Sequence, residues 1–550
     1  MVKVTYPGVY VEELPSGVHT VTGAPTSVTA FVGRTPRGPV NEPVRVSGFG
    51  DYERRFGGLD RDSTVSYTVR GFFDNGGAEA LILRLYEPQG GASAKPGSLA
   101  APVIPAGCAK LSLPLAAAQQ ESLVLVAADP GGWGNGLTVA VDTDGITEAV
   151  AQALPGGLTA ADLFNLTVTC RTPDSRVQAE RYLHLTVHPD GGTMRIDRVL
   201  AEQSTNLRVP DGADGATARP PGPPARTSRA DGRGGEDSAP LTVKTYLGDE
   251  AGQTGLFAME KAIAFNILTI PPDLRLPGGK GFGDTPNLVY QTASTYCVKR
   301  RAMLIVDAPG KWRTDAEAGN LAAIGLDDLG SYGVAEAENS AAYFPRIVAQ
   351  DPLRNGEAAA FPASGAIAGI WAATDMQSGV WKAPAGLNAP LNGISGPEVR
   401  LNDAQNGVLN PLGINCLREF AQVGTVVWGA RTMRGADLFG SDFKYLAVRR
   451  LALYVEKSLV TGTEWAVFEP NDESLWAQLR QSAGTFLADL YRQGAFFGDK
   501  PDSAYFVRCD ATTTTPADQS AGVVNIEIGF APVRPAEFVI LTIRQKTLES

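Results

Sequence analysis

The sequence is poor in the residue types that metal centres and acid–base sites need. It has only three histidines, and its five cysteines form no CxxC pair, so isolated buried thiols are expected. Charged residues make up 19% of the chain and the formal net charge is −11, which argues against a nucleic-acid binder that relies on a basic surface. There is no run of about 18 apolar residues, so we expect no membrane insertion.

The motifs that suggest chemistry are isolated from one another. His184 and His188 would share a face of a strand, but no acidic or cysteine partner is obvious nearby. The glycine-rich segments Gly131–Gly136 and Gly278–Gly283 lack the Gly-Lys-Ser/Thr ending of a phosphate loop, so turns are expected. Asp307–Trp312 follows a strand, where ligand sites often lie in α/β folds, but no acid–base group accompanies it. The sequence therefore predicts no catalytic residue, cofactor or metal.

What the chain does have is enough apolar residues, 43%, to build sizeable cores. Residues 211–240 contain no Val, Ile, Leu, Met or aromatic residue, so this stretch is interpreted as a flexible linker or loop. Alternating strands before it, such as Leu137–Val141, predict an inserted antiparallel β domain. The predicted parts are an N-terminal arm (1–25), a discontinuous core (26–88 and 241–520), an outer β-rich insertion (89–210), the linker (211–240) and a C-terminal strand arm (521–550).

After the linker the pattern changes to that of a mixed α/β layer. Gly255–Leu268 has helical apolar spacing, and a helix over Thr285–Arg301 leads into the apolar strand Ala302–Val306. Two further amphipathic helices are expected, around Phe443–Val455 and Leu475–Leu490. The predicted fold class is α+β: a mixed core sheet with flanking helices, an inserted antiparallel β domain and terminal arms.

Both chain ends are rich in residues that favour strands. Apolar and polar residues alternate near the N-terminus and again in Val524–Phe530, and Glu537–Ile543 is strongly β-forming. Unpaired strand edges are normally covered, so such ends make sense if another subunit supplies the partner strand. The alternative is that both arms complete the chain's own sheet. The residues expected to pair between subunits are Val2, Val4, Val9, Tyr10, Val11, Val524, Ile526, Ile528, Phe538, Val539, Ile540 and Ile543.

Short motifs spread along the chain resemble those of contractile tail sheath proteins. Each motif is weak alone, but their order spans nearly the whole chain. They are Tyr6–Glu13, Phe31–Pro39, Phe72–Gly77, Asp129–Asn135, Tyr343–Arg346, Ala368–Ile370, Gly379–Gly386, Ile414–Asn415, Val427–Thr432, Val448–Leu451, Phe468–Asn471, Tyr505–Asp510 and Pro535–Phe538. The segment 211–240 and much of 90–210 depart from this pattern, as expected for outward-facing insertions that vary in the family.

The resemblance implies a subunit that polymerises with itself as stacked hexameric rings around an inner tube, with baseplate and terminal cap proteins as further partners. Contraction would drive the tube through a target cell envelope without a cofactor. It also implies that arms complete a sheet on a neighbouring subunit, with Pro7, Gly8, Pro15 and Gly17 as hinges. Charged residues at the start of the helix after Phe468–Asn471 are candidates for the inner-tube contact: Asp472, Glu473 and Arg480. The aromatic and arginine positions Trp381, Trp428, Arg431 and Arg434 are interpreted as core or turn supports.

Two other functions stay open at this level. A static capsid or surface-layer subunit would also self-assemble, and an α/β enzyme is the less favoured alternative. The N-terminus lacks the apolar core and cleavage site of a signal peptide, so synthesis and assembly in a bacterial cytoplasm are expected. Among contractile particles, the preferred interpretation is a headless injection system.

Overall fold

The structure of the chain is a computed structural model that describes residues 19–91, 104–116, 121–171, 177–211, 222–276, 278 and 281–538. The first part of the chain supplies three strands and two helices to the central layer. These are β1 (Thr29–Gly33), β2 (Val44–Val46), α1 (Phe49–Phe56), α2 (Val65–Asp74) and β3 (Ala80–Arg84).

An insertion of mainly antiparallel strands follows. Its elements are β4 (Lys110–Pro114), β5 (Ser122–Ala127), β6 (Leu137–Asp142), α3 (Glu148–Ala153), β7 (Leu163–Arg171), β8 (Val177–Thr186), α4 (Ile196–Gln203), β9 (Leu207–Arg208) and β10 (Arg229–Asp231). The strands form two sheets, in the orders β10-β6-β7-β8 and β4-β5-β9, which share one apolar core. The inserted antiparallel β domain of the predicted fold is present.

The chain then returns to the central layer and ends in a helical region with two short strands. The returning elements are α5 (Val243–Leu247), β11 (Ile267–Thr269), α6 (Asn287–Arg300), β12 (Met303–Asp307), α7 (Gly310–Glu317), α8 (Val334–Glu338), β13 (Ser340–Phe344), β14 (Ile347–Asp351), β15 (Glu357–Phe361), α9 (Ser364–Ser378), β16 (Gly396–Pro397), α10 (Asp403–Leu409), β17 (Ile414–Phe420), β18 (Gly424–Trp428) and α11 (Leu446–Thr463). The last elements are α12 (Glu473–Arg492), α13 (Pro501–Ala504), β19 (Tyr505–Arg508), α14 (Pro516–Ser520) and β20 (Glu527–Phe530).

The central layer is an eight-stranded sheet in the order β18-β17-β13-β12-β11-β1-β3-β2. Its six inner strands run parallel, and β18 and β2 pair antiparallel at the two edges. Side chains of a strand alternate between the faces, so a sheet covered on both sides needs continuous apolar runs. In β12, Leu304 and Val306 pack in the core on the side of α6, whereas Met303 and Ile305 pack in the core on the side of α2 and α9. The predicted mixed α/β core with flanking helices is confirmed.

Two local expectations were wrong. Residues 229–231, placed in the flexible linker, form β10 and pair with β6 of the inserted domain, with the small side chain of Ala230 turned inward. Backbone hydrogen bonds to β6 hold this strand, so the lack of large apolar residues did not prevent order. Gly255–Leu268 is not one helix either: a 3-10 helix covers Gly255–Lys261, and Ile267 already belongs to the central sheet.

Candidate assembly interface

A two-stranded antiparallel sheet, formed by β19 and β20, lies beside α12 and is called the C-terminal sheet below. Val507 lies opposite Ile528, and Tyr505 lies opposite Phe530. These four side chains are partly buried and pack against an apolar cluster that includes Phe486 of α12. One face of the C-terminal sheet is therefore fixed to the body of the chain, although two strands alone are marginally stable in water.

The other face of the C-terminal sheet is exposed, and its side chains lie in close contact with one another. The ring of Phe506, whose residue is 41% exposed, lies across Gly529, where an added Cβ would fall inside the ring's van der Waals surface. The Arg508 guanidinium lies 5.0 Å from the centroid of that ring, and its Nη1 is 3.6 Å from a carboxylate oxygen of Glu527. The glycine is thus required by the close approach of the aromatic ring.

Both outer edges of the C-terminal sheet are open within the part of the chain that the structure describes. Backbone hydrogen bonds join β19 and β20 to each other, and none joins either outer edge to another described segment. Such an edge presents a row of amide donors and carbonyl acceptors that can pair with an added strand. The arrangement can accept one strand on each side.

The start of the described chain runs along α11. The ring of His19 stacks on Trp465 with 3.9 Å between centroids, and Val21 is buried in the apolar cluster of α11 and α12. The amide of Ala24 donates to the Ser458 hydroxyl at 2.9 Å. The described part of the chain therefore begins beside the end of α11. The N-terminal pairing and hinge residues lie outside the described residues: Val2, Val4, Pro7, Gly8, Val9, Tyr10, Val11, Pro15 and Gly17.

The C-terminal segment follows β20 and ends, as far as it is described, at Phe538. The Val533 amide donates to the Ala495 carbonyl at 3.2 Å, and the Glu537 carboxylate accepts two hydrogen bonds of 2.7 Å from Arg431. Phe538 itself is 73% exposed. The remaining expected pairing residues, Val539, Ile540 and Ile543, lie outside the described residues.

A groove with a volume of about 500 Å³ borders this segment. Trp381, Trp428, Tyr445 and residues 533–538 are among the residues that line it. Trp428 ends β18, the antiparallel edge strand of the central sheet. The C-terminal segment thus passes from the helical region to the edge of the central layer.

Three residues expected to pair with another subunit are used within their own chain. Ile528 is in β20 opposite Val507, while Val524 and Ile526 pack against a small cluster that includes Trp476 of α12. Their apolar side chains are turned toward the chain's own core, which the alternating sequence pattern alone does not distinguish from a donated strand. These contacts are made within one chain, and the pairing of these residues with another subunit stays a prediction.

The three residues expected to contact the inner tube lie together at the start of α12. Asp472 caps the helix, because its side chain accepts a hydrogen bond from the Leu475 amide at 3.1 Å. A carboxylate oxygen of Glu473 is 2.7 Å from Arg480, which also donates to the carbonyl of Cys509 just after β19. The side chains of Glu473 and Arg480 are 64% and 32% exposed. This cluster ties α12 to the C-terminal sheet and presents charge at the surface.

The described residues contain no group of three or more His, Cys, Asp and Glu side chains arranged to hold a metal ion. All five cysteines are buried and unpaired, and burial raises the pKa of the Cys416 thiol to about 12 and that of Cys509 to about 11. The cavity beside Asp307 has a volume of about 10 Å³, room for about one water molecule. No helix in the described part of the chain is long and apolar enough to span a membrane.

Two protein-family models match the regions that contain these elements. The model of the phage tail sheath protein central domain matches residues 294–433, and the model of the phage tail sheath C-terminal domain matches residues 440–546. Over these residues the chain matches the phage tail sheath family. The boundary between the two matches falls between β18 and α11, so the C-terminal match contains α12 and the C-terminal sheet.

Two sheath relatives are similar in sequence over part of their length. The tail sheath protein of Vibrio phage KVP40 is 29% identical over 183 residues, which are 33% of this chain and 26% of that protein. A prophage major tail sheath protein of Pseudomonas aeruginosa (strain UCBPP-PA14) is 28% identical over 182 residues, 32% of this chain and 44% of that protein. The matches thus span less than half the length of these curated relatives.

Solved sheath structures share the fold over nearly the whole chain. The contracted helical sheath of the anti-feeding prophage aligns with a TM-score of 0.54 at 23% identity, covering 99% of this chain and 100% of that one. The contracted PVC sheath of an extracellular contractile injection system aligns with a TM-score of 0.53 at 19% identity, covering 99% of each chain. The sheath tail protein Lin1278 of Listeria innocua aligns with a TM-score of 0.56 at 14% identity, covering 93% of this chain and 96% of that one.

Proposed function

We propose that this chain is the structural subunit of a contractile sheath, which polymerises as stacked hexameric rings around an inner tube. The observation that carries the proposal is the C-terminal sheet with its two open edges, within a chain of the sheath family. On triggering, the rings repack into a shorter and wider lattice, and this movement drives the tube through a target cell envelope. Particle assembly takes place in the bacterial cytoplasm.

The C-terminal sheet is the acceptor in this proposal. A neighbouring subunit adds its N-terminal arm, residues Val2–Val11, to one outer edge, and a second neighbour adds its C-terminal arm, residues Phe538–Ile543, to the other. Each intermolecular backbone hydrogen bond contributes about 0.5–1.5 kcal/mol net, so a few per arm, repeated along a lattice, hold the subunits together. Such head-to-tail contacts do not close on themselves and therefore generate a helical tube.

The hinges and the energy source follow from this arrangement. Pro7, Gly8, Pro15 and Gly17 let the N-terminal arm bend while it remains paired. The sheath performs no catalysis and uses no cofactor: energy is stored in the extended lattice and released when the packed subunits change to a second arrangement. The arms keep neighbours connected during that change.

The inner tube contacts the start of α12 in this proposal. Glu473 and Arg480 are paired and exposed, and Asp472 fixes the end of the helix on which they sit. A charged contact that is easily exchanged suits a surface that must hold the tube before contraction and release it afterwards. Baseplate and terminal cap proteins bind the two ends of the sheath.

Coexpression of the chain with its tube and baseplate partners tests the function. Negative-stain micrographs should show sheathed tubes in an extended and a contracted form. A single lattice that does not change after triggering would instead indicate a static shell, and a chain that stays monomeric in the complete particle mixture would contradict the proposal.

A further inference from the structure

The structure points to a second feature of the C-terminal arm: the place at which it is fastened. We propose that Arg431 and Glu537 form a clamp that fixes the base of the C-terminal arm to the central domain before any neighbour binds. This inference rests on the proposed strand-donating function of the arm. It concerns the free subunit, however, and its test does not require assembly.

Arg431 is held in place independently of the arm. Its side chain is 1% exposed, and its Nη1 donates to the carbonyl of Asn410 at 2.9 Å and to the carbonyl of Gly435 at 3.2 Å. Its backbone amide donates to Asn415 Oδ1 at 2.7 Å, and Asn415 lies in β17 of the central sheet. A carboxylate oxygen of Asp437 lies 3.0 Å from Nη1. The guanidinium is therefore oriented by the core.

The remaining donors of that guanidinium meet one carboxylate. Arg431 Nε donates to Glu537 Oε1 and Nη2 donates to Glu537 Oε2, both at 2.7 Å. Glu537 Oε1 also accepts from the side-chain Nδ2 of Asn410 at 3.0 Å. Two parallel charge-assisted hydrogen bonds in a buried fork fix direction as well as position, which a lysine in place of Arg431 would not do.

Glu537 is the held point in a segment that is otherwise loosely attached. Among the described residues, no backbone hydrogen bond joins residues 534–538 to the rest of the chain, whereas Val533 is still bonded to Ala495. The side chain of Glu537 is only 19% exposed, although that of Arg534 is 63% exposed and Phe538 is 73% exposed. The carboxylate of Glu537 therefore determines where the arm leaves the body.

The clamp joins the two matched domains. Arg431 lies within residues 294–433, the central-domain match, and Glu537 lies within residues 440–546, the C-terminal match. A pull on the arm by a neighbouring subunit is thus passed through Glu537 and Arg431 to Asn415 in β17 of the central sheet. A fixed exit point also lowers the conformational freedom that the arm loses when it pairs with a neighbour.

Hydrogen exchange on the free, full-length subunit tests the clamp. Glu537→Gln keeps the shape of the side chain but removes the charge, and Arg534→Gln is the matched control because it removes an exposed charge from the same segment. We expect exchange of the Val533 amide, which is hydrogen-bonded to the Ala495 carbonyl, to rise at least tenfold in E537Q and to stay at the wild-type rate in R534Q, with β17 and β18 unchanged in both. The subunit concentration needed for half-maximal pelleting should rise about tenfold in E537Q only.

Two results would overturn the clamp. One is wild-type exchange of the Val533 amide in E537Q. The other is an equal rise across β17 and β18, which would show that Glu537 supports the core and not the arm alone. A third variant lacking residues 539–550 separates the two proposals. If that truncated chain pelleted normally, strand donation by the C-terminal arm would be refuted, whereas the exchange result on the free subunit would still decide the clamp.

Discussion

Phe506 lies across Gly529 on the exposed face of the C-terminal sheet, and this contact leaves no room for a Cβ atom at position 529. The backbone of β20 can approach the ring only because residue 529 is a glycine. On the same face Arg508 pairs with Glu527 across the strands, and its guanidinium lies 5.0 Å from the centroid of the Phe506 ring. The fit of the sheet's two strands therefore rests on a small number of side chains that can be tested one at a time.

Gly529→Ala should distort the C-terminal sheet, because the new methyl group displaces the ring of Phe506. Overpacking of this kind costs about 1–3 kcal/mol. The double variant F506A/G529A restores the space, so it should pellet closer to wild type than G529A alone. Pelleting and thermal melting of the two single variants and the double variant measure this. An additive loss in the double variant would show that the ring and the glycine act independently.

Ile528→Lys places a charge on the inner face of the C-terminal sheet, opposite Val507 and against the α12 cluster. An unpaired charge in an apolar cluster is costly, so we expect local loss of β19 and β20 and no pelleting. Hydrogen exchange should rise in these strands while β12 and β13 keep their protection. Glu527→Gln, next in sequence but exposed, is the control and should assemble; failure of both variants would contradict the assignment of the two faces.

Deletion of Val2–Val11 should abolish polymerisation and leave the free subunit folded. These residues precede the segment anchored by Val21 along α11, so the described core does not depend on them. Melting temperature should stay within about 2 °C of wild type, a shift of about 2 kcal/mol for a chain of this size. Sedimentation of the deleted subunit supplies the assembly readout. Sheaths of normal length formed without these residues would refute N-terminal strand donation.

Acid should release the C-terminal arm. Burial alone would raise the pKa of Glu537, but hydrogen bonds and charge from Arg431, together with Lys444, lower it below its ordinary value. The ionised carboxylate is thus favoured in the folded state, so its contribution is complete above the unfolded pKa of about 4.3 and is lost as pH falls below it. Tyr445 and Asp437 complete the polar surroundings.

A pelleting series from pH 7 to pH 3.5 checks this prediction in wild type and E537Q. Wild type should lose assembly as the pH falls below about 4.5, while E537Q, already weak at neutral pH, should lose less on acidification. Identical acid profiles for the two chains would assign the transition to carboxylates other than Glu537.

Much of the central layer could be predicted from the sequence, because its signals are local. The apolar run at Ala302–Val306 and the periodicity of Leu475–Leu490 correspond to β12 and α12. The segment Arg229–Asp231 could not be recognised as a strand, since its order comes from pairing with β6 and not from its own side chains. Composition thus overstated the extent of the linker.

Only part of the proposed assembly site could be predicted from the sequence. The β-forming ends indicated strand exchange, but alternation alone did not show that Ile528 pairs with Val507 of its own chain. Arg431 was interpreted as a turn support, which its bonds to the Gly435 and Asn410 carbonyls bear out in part. Its pairing with Glu537, 106 residues away, joins two quoted motifs that nothing in the sequence links.

In the proposed sheath, neighbouring subunits complete the C-terminal sheet. A cryo-electron microscopy reconstruction of the assembled sheath, at a resolution that traces the backbone, tests it most directly. We expect the C-terminal sheet to have four strands in the assembled sheath: β19 and β20 of one subunit, flanked by the N-terminal arm of one neighbour and the C-terminal arm of another. A sheet that stays two-stranded in the assembled tube, or that is completed only by the arms of its own chain, would contradict strand exchange between subunits.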